Sequence, residues 1–195
     1  MRPLVVAIAL IGLGLILFSS GCNSYNNLVE TDENVSNAWS KVESEYQRRS
    51  DLIPNLVNTV KGVADFEKST LTEVTQARAR ATSVNIDPSK LDASSIQKFQ
   101  EAQSGLSQSL GRLLLVSERY PELKANENFR DLQVQLEGTE NRIKVARNRY
   151  NDVVTEYNKQ VRRFPNSIFA SMFGFERHAQ FEAEAGAEEA PTVEF

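Results

Sequence analysis

The sequence predicts an all-α protein, an antiparallel up-and-down bundle of three to four long helices after an N-terminal membrane or signal segment. Three observations carry this. Residues 4–18 form an uncharged apolar run of fifteen. Beyond it, apolar residues recur every three to four positions, the period of helices packed in a bundle, and not in the alternation a strand needs. Helix breakers are sparse, with prolines after residue 23 only at 54, 88, 121, 165 and 191. The chain has 195 residues, 41% of them apolar, enough for one domain with a real core.

The N-terminal segment comes first. Arg2 precedes the apolar run, and Ser19-Ser20-Gly21-Cys22 follows it. Fifteen residues fit a secretory h-region, and with residues 19–22 the stretch reaches the roughly 20 needed to span a bilayer. The first charges after the run are Glu30, Asp32 and Glu33, so the positive-inside rule keeps the N-terminus cytoplasmic and places the remainder on the periplasmic or extracytoplasmic side. Cys22 stands where a lipobox has its acylated cysteine, although Ser19 replaces the usual Leu at −3. Two readings stay open: a lipoprotein lipidated at Cys22, or an uncleaved anchor helix. Either one tethers the chain to a membrane.

The first long helical segment, from about Asn26 to Ala81, carries Leu28, Val35, Trp39, Val42, Tyr46, Arg49, Ile53, Leu56, Val60 and Val63 on one stripe. The phase survives Pro54, which suggests one helix kinked near Ser50–Pro54 or two helices nearly in line. Thr82 to Leu91 reads as a loop around Asp87-Pro88. The second segment carries Ile96, Phe99, Gln103, Leu106, Leu110, Leu113 and Tyr120, with Ser94 and Gln97 as a capping box. Gly105 and Gly111 inside it either allow a close helix approach or are tolerated at a cost. After a connection at Tyr120–Asn128, the third segment runs from Phe129 through Leu132, Leu136, Thr139, Ile143, Tyr150 and Tyr157 as one helix of about 36 residues, roughly 54 Å.

Residues 165–175 (PNSIFASMFGF) form an apolar island. Ile168, Phe169, Met172 and Phe173 are expected on one face of a short helix, as a docking patch for a partner or as a cap on the bundle's end. From Glu176 there are six Glu against one Arg, which reads as an acidic, solvated tail carrying His178. The organisation is therefore a signal or anchor segment over 1–22, a bundle domain over 23–175 and a tail over 176–195.

The inventory argues against several function classes. The net charge of −4 disfavours a nucleic-acid binder. One Cys and one His allow neither an internal disulfide nor a His/Cys metal cluster. No glycine-rich phosphate loop or nucleophile elbow is present, and no cofactor is called for. Arg49 falls on an apolar stripe, where a bare charge is costly. Its natural partner is a carboxylate on a facing helix, Glu137 or Glu140. Such a pair either fixes helix register or forms a buried acid/base site, and register is the preferred reading. Glu137 and Glu140 lack the Glu-x-x-His companion of a di-iron centre.

Several stretches together resemble the LemA family of bacterial membrane proteins. They are Tyr25-Asn26-Asn27-Leu28-Val29, the run from Tyr46 to Val57 (YQRRSDLIPNLV), Tyr120-Pro121-Glu122-Leu123-Lys124-Ala125-Asn126, and Leu136 to Ile143 (LEGTENRI). Ala146-Arg147, Tyr150-Asn151, Phe173-Gly174-Phe175 and Phe181-Glu182-Ala183 follow in order. The resemblance implies a membrane helix followed by an antiparallel bundle, and leaves the molecular activity undefined. The expected role is a scaffold or adaptor binding an unidentified envelope protein. The alternative is a self-assembling homo-oligomer that organises the membrane. An enzyme using Arg49 and Glu140 is disfavoured.

Overall fold

The computed structural model describes residues 2–63 and 66–182, without the side chains of residues 2–10 and 13–20. Among the described residues every regular element is helical: α1 (Arg2–Lys61), α2 (Lys68–Ser83), α3 (Ala93–Ser117), α4 (Pro121–Ala125), α5 (Glu127–Arg162) and α6 (Asn166–Phe173). Among these residues no helix is long and apolar enough to cross a membrane. The apolar run itself, apart from Ile11 and Gly12, falls on side chains outside the description.

Four helices alternate in direction, as their cross-links show. Arg78 on α2 reaches Ser50 on α1, Gln103 on α3 reaches Ala81 on α2, and Arg49 on α1 meets Glu140 on α5. Lower in the α1 numbering, Glu45 pairs with Arg142 at 3.1 Å. At about 1.5 Å per residue α1 is about 90 Å long against about 54 Å for α5, so it continues N-terminally past every partner.

Of the two readings at Pro54, the single helix stands and that of two helices nearly in line is corrected, and the segment expected to run to Ala81 divides instead after Lys61. α1 runs unbroken through Pro54 and ends at Lys61, and the chain then turns back into α2. The cause is local. Proline has no N–H and so leaves the carbonyl four residues earlier without its helical donor. That carbonyl belongs to Ser50, and Arg78 Nε donates to it at 2.9 Å. A side chain on the returning helix replaces the missing backbone bond, and the reversal moves to Gly62 and beyond.

Other ends are capped by their own residues. The expected capping box on α3 is also corrected: its cap is Asp92, whose carboxylate accepts from Ser95 N at 2.9 Å and from Ser95 Oγ at 3.1 Å. Asn126 caps α5 by accepting from Phe129 N at 3.1 Å. Between α2 and α3, Asp87 accepts from Ser89 N at 2.9 Å, the side-chain turn that Asp-Pro-Ser favours. Gly174, at φ 77°, closes α6 in the left-handed conformation and redirects the chain. Gly105 and Gly111 face open space, so they are tolerated and bring no helix closer.

The core divides in two. A distal cluster joins Ile53, Leu56 and Val60 of α1 to α2, to Leu106, Leu110 and Leu113 of α3, and to Phe129, Leu132 and Leu136 of α5. A proximal cluster joins Val35, Trp39, Val42 and Tyr46 of α1 to Phe99 and to Ile143, Tyr150, Val154 and Tyr157 of α5. α2 ends between the two. In the proximal half its place is taken by an extended strap, residues 175–182, which buries Phe181 against Trp39. Residues 176–182, read from sequence as the start of a solvated tail, therefore lie against the bundle. The rest of that tail, 183–195, falls outside the described residues.

Candidate functional site

The polar layer between the two clusters is centred on Arg49, which is 1% exposed. Nη1 donates to Glu140 Oε1 at 2.7 Å and to Ser107 Oγ at 2.7 Å. Nη2 donates to Gln103 Oε1 at 2.6 Å and to the Gln103 carbonyl at 3.3 Å. Gln103 Nε2 in turn donates to the Ala81 carbonyl at 3.4 Å. The guanidinium also lies over the Tyr46 ring, 5.0 Å from its centre. Residues of α1, α3 and α5 thus meet at one cation, and Gln103 links the layer to α2. Thr139, fully buried, lies in the same layer and accepts from Arg142 Nη2 at 2.9 Å.

The two candidate carboxylates separate. Glu140 reaches Arg49, whereas Glu137 lies on the exposed side and accepts from Gln133 of its own helix at 3.1 Å. Three positions apart on a helix turn the chain through about 300°, enough to take Glu137 off the seam. Burial pushes the Tyr46 phenol up, against the opposing pull of Arg147 and Arg49. The four terminal N–H groups of Arg49 are all spent on this chain's own acceptors, so the arrangement can hold register but presents no terminal donor to a ligand. Among the described residues no group of three or more His, Cys, Asp or Glu is placed to hold a metal ion.

His178 does not sit in solvent as expected from the Glu-rich context. Its Nε2 lies 2.7 Å from Asp32 Oδ1, and its ring stacks on Tyr157 at 4.7 Å. The strap is fixed by two asparagines of α5. Asn158 donates to His178 O at 2.8 Å and accepts from His178 N at 3.1 Å. Asn151 does the same for Phe181, at 3.0 and 2.9 Å. Tyr150 OH donates to Ala179 O at 2.8 Å, and Ala179 N donates to Leu91 O at 2.8 Å. Burial raises both the Tyr150 and Tyr157 phenols, with Asp32 adding to the shift at Tyr157, so both stay protonated donors.

The apolar island forms α6, but its four residues do not share one environment. Ile168 and Met172 are 53% and 67% exposed, and Phe164 just before the helix is 77% exposed. Phe169 is half-buried over Gly21, where an added Cβ would sit 3.0 Å from its ring. Phe173 meets Tyr25 edge-on at 4.9 Å and keeps 51% of its surface in solvent. Cys22, beside this contact, is a free and exposed thiol. Arg78, Ser107 and Asn158 escaped the sequence reading, and Asn151 entered it only within a stretch that carries the resemblance, with no role. Gln103 gave the clearest signal, as a polar residue on an apolar stripe at the level of Arg49.

The family model described as "LemA family" matches residues 38–195. Protein LemA of Metamycoplasma hominis is 24% identical over 158 residues, covering 81% of this chain and 68% of that protein. Magnetosome protein MamQ 2 of Paramagnetospirillum magneticum is 25% identical over 186 residues, covering 87% and 68%. Magnetosome protein MamQ of Magnetospirillum gryphiswaldense is 25% identical over 199 residues, covering 92% and 72%. None of these names denotes a reaction. With the match spanning more than half of its length, the chain belongs to the LemA family.

Proposed function

We propose that this protein is a membrane-tethered helical bundle that works by binding, as a scaffold or adaptor for another envelope protein, with the bundle on the extracytoplasmic side. The observation that supports this best is the continuity of α1. One helix carries the apolar run and then forms the spine of both core clusters. A tether at its start would hold the bundle at a fixed direction and reach. Arg49 stabilises the bundle's register, leaving the outer faces as the working surface. Leu115 and Val134, 71% and 68% exposed on α3 and α5, are apolar positions on the distal flank.

The test uses the full chain in cells, with a photo-crosslinking side chain at position 115 or 134. Membranes are fractionated first. The chain is expected to stay with them through alkaline extraction and to leave them when residues 1–22 are deleted. Irradiation is expected to give discrete heavier species, identified by mass. Adducts containing only a second copy of the chain replace the adaptor reading with self-assembly. No adduct from either position overturns both. Intact mass of the extracted protein separates an acylated chain starting at Cys22 from an uncleaved anchor.

A further inference from the structure

The end of the bundle nearest the apolar run carries an unusual surface. α6 is apolar around most of its circumference, with Ala170 inward, Phe169 on Gly21, and Ile168 and Met172 outward. Beside it lies a shallow groove of ≈ 590 Å³ where Lys159, Arg162, Arg163 and Arg177 gather, with Glu156 the carboxylate among them. Lys159 and Arg162 belong to the last turn of α5, where the helix dipole favours cations. Arg163 is the C-cap of α5 and shares that setting, whereas Arg177 comes from the strap and owes nothing to the dipole.

Position decides what this surface meets. Phe169 and Phe173 pack on Gly21 and Tyr25, three and seven residues after the apolar run ends at Phe18. In an acylated chain that starts at Cys22 the Gly21 contact is lost but Phe173 still packs on Tyr25, so in either form lipid begins beside α6. An exposed apolar helix flanked by cations, held at that level, matches an interfacial helix, whose apolar side sinks into the headgroup boundary while its basic side meets phosphates.

We propose that α6 is a membrane-contact element, lying in the headgroup layer of an anionic phospholipid bilayer with Phe164, Ile168 and Met172 inserted and Arg162, Arg163, Arg177 and Lys159 on the phosphodiesters. The inference rests on the membrane tether proposed above and adds to it. The bundle would be braced against the bilayer at a second point, which sets its tilt. The nearby carboxylates Glu30, Asp32 and Glu33 of α1 oppose contact by that flank, with Asp32 held by His178, so the basic flank is the one that turns to the lipid.

The test places an indole at the exposed positions of the full chain. Met172→Trp is reconstituted in vesicles of phosphatidylcholine with or without phosphatidylglycerol, carrying brominated acyl chains as quencher. Leu115→Trp serves as the distal control. The native Trp39 is fully buried and about 27 Å along α1 from Gly21, so it supplies a constant background. Flotation of the vesicles reports the tether independently. The expected result is flotation of both variants, with blue-shifted and quenched emission from the indole at 172 and neither change at 115. Arg162→Gln with Arg163→Gln is expected to lower the contact population on anionic vesicles by about fivefold per charge, from ~1 kcal/mol per cation at an anionic surface. Vesicles that float with no quenching at 172 overturn the inference and leave the tether standing. Protein that does not float overturns both. Quenching indifferent to anionic lipid or to the arginine pair overturns the phosphate contact. A blue shift that needs no lipid and grows with protein concentration assigns the face to a second copy and overturns the inference.

Discussion

The distal and proximal halves of the bundle solve the same packing problem differently. In the distal half four helices meet, and the core between them is mostly Leu, Ile, Val and Ala, with Phe66 and Phe129 at its far end. In the proximal half α2 is missing and the space is closed by a strap with no backbone periodicity of its own. Large rings fill it. Trp39 lies edge-on to Phe99 and Tyr150 and stacks on Phe181. A strap cannot satisfy its own peptide groups as a helix does, so α5 does it with side chains. Asn151 and Asn158 are seven residues apart, about 10.5 Å along a helix. The strap residues they hold, Phe181 and His178, are three apart, about 10 Å in extended chain. The two repeats coincide, which is why both amides can make paired bonds. The lesson is that a core can be completed by a non-helical segment, provided that a neighbouring helix supplies donors and acceptors at a matching rise.

The sharpest way to break this comparison is to remove one large side chain from each half. Phe181→Ala is expected to cost about 4 kcal/mol, within the range for emptying a buried aromatic site. It should also free the strap, shifting Trp39 emission in the native state because a stacked ring is lost. Leu113→Ala, fully buried in the distal cluster, is expected to cost about 3 kcal/mol with native Trp39 emission unchanged. Urea unfolding of the full chain in detergent, followed by fluorescence, measures both. If Leu113→Ala moves native Trp39 emission as far as Phe181→Ala, the two halves are one packing unit and the distinction fails.

The polar layer is the next test, because it joins the halves. Glu140→Ala uncovers the Arg49 charge and is expected to cost about 3 kcal/mol, the low end for breaking a buried pair. The low end applies since Glu140 is 46% exposed while Arg49 is 1% exposed. Arg49→Met should cost less, about 1–3 kcal/mol, for the unpaired Gln103 acceptors, because Glu140 can turn to water. The reverse order in urea unfolding would mean that Arg49 contributes packing more than charge.

How much of this the sequence made legible differs between the halves. The helical class, the length of α5 and the burial of Trp39 follow from the 3–4 period, because the period records which side of a helix is packed. Arg49 was legible for the same reason: a cation on an apolar stripe needs a buried partner. The break after Lys61 was not legible, because it depends on Arg78 relieving Pro54 from a helix that folds back only in three dimensions. The strap was hidden for a related reason. Its sequence is Glu-rich and without period, and the residues that hold it in place are asparagines two helical turns apart on another element. Local composition describes such a segment as solvent-loving until its partner is known.

The smallest expected effect distinguishes the halves by pH. The proximal start of α3 is capped by Asp92, and the distal start of α5 by Asn126, which does not titrate. The Ser95 backbone N–H, then the Ser95 hydroxyl, hold the Asp92 carboxyl below its ordinary value of 3.8. A carboxyl lowered in the folded state adds stability that is fully present above the unfolded value and is lost as pH falls through the folded one. Acidification below about pH 4 should therefore unload the α3 cap and leave the α5 cap intact. Asp92 adjoins Leu91, whose carbonyl holds Ala179 of the strap, so the loss should spread into the proximal half. Amide exchange of Ser95 and Ala179, corrected for the intrinsic pH dependence, is expected to rise relative to Phe129 on acidification. Asp92→Asn keeps an acceptor at the cap without its titration and should flatten that rise. Equal acid sensitivity at Ser95 and Phe129, or a rise that survives Asp92→Asn, would place the titrating group elsewhere.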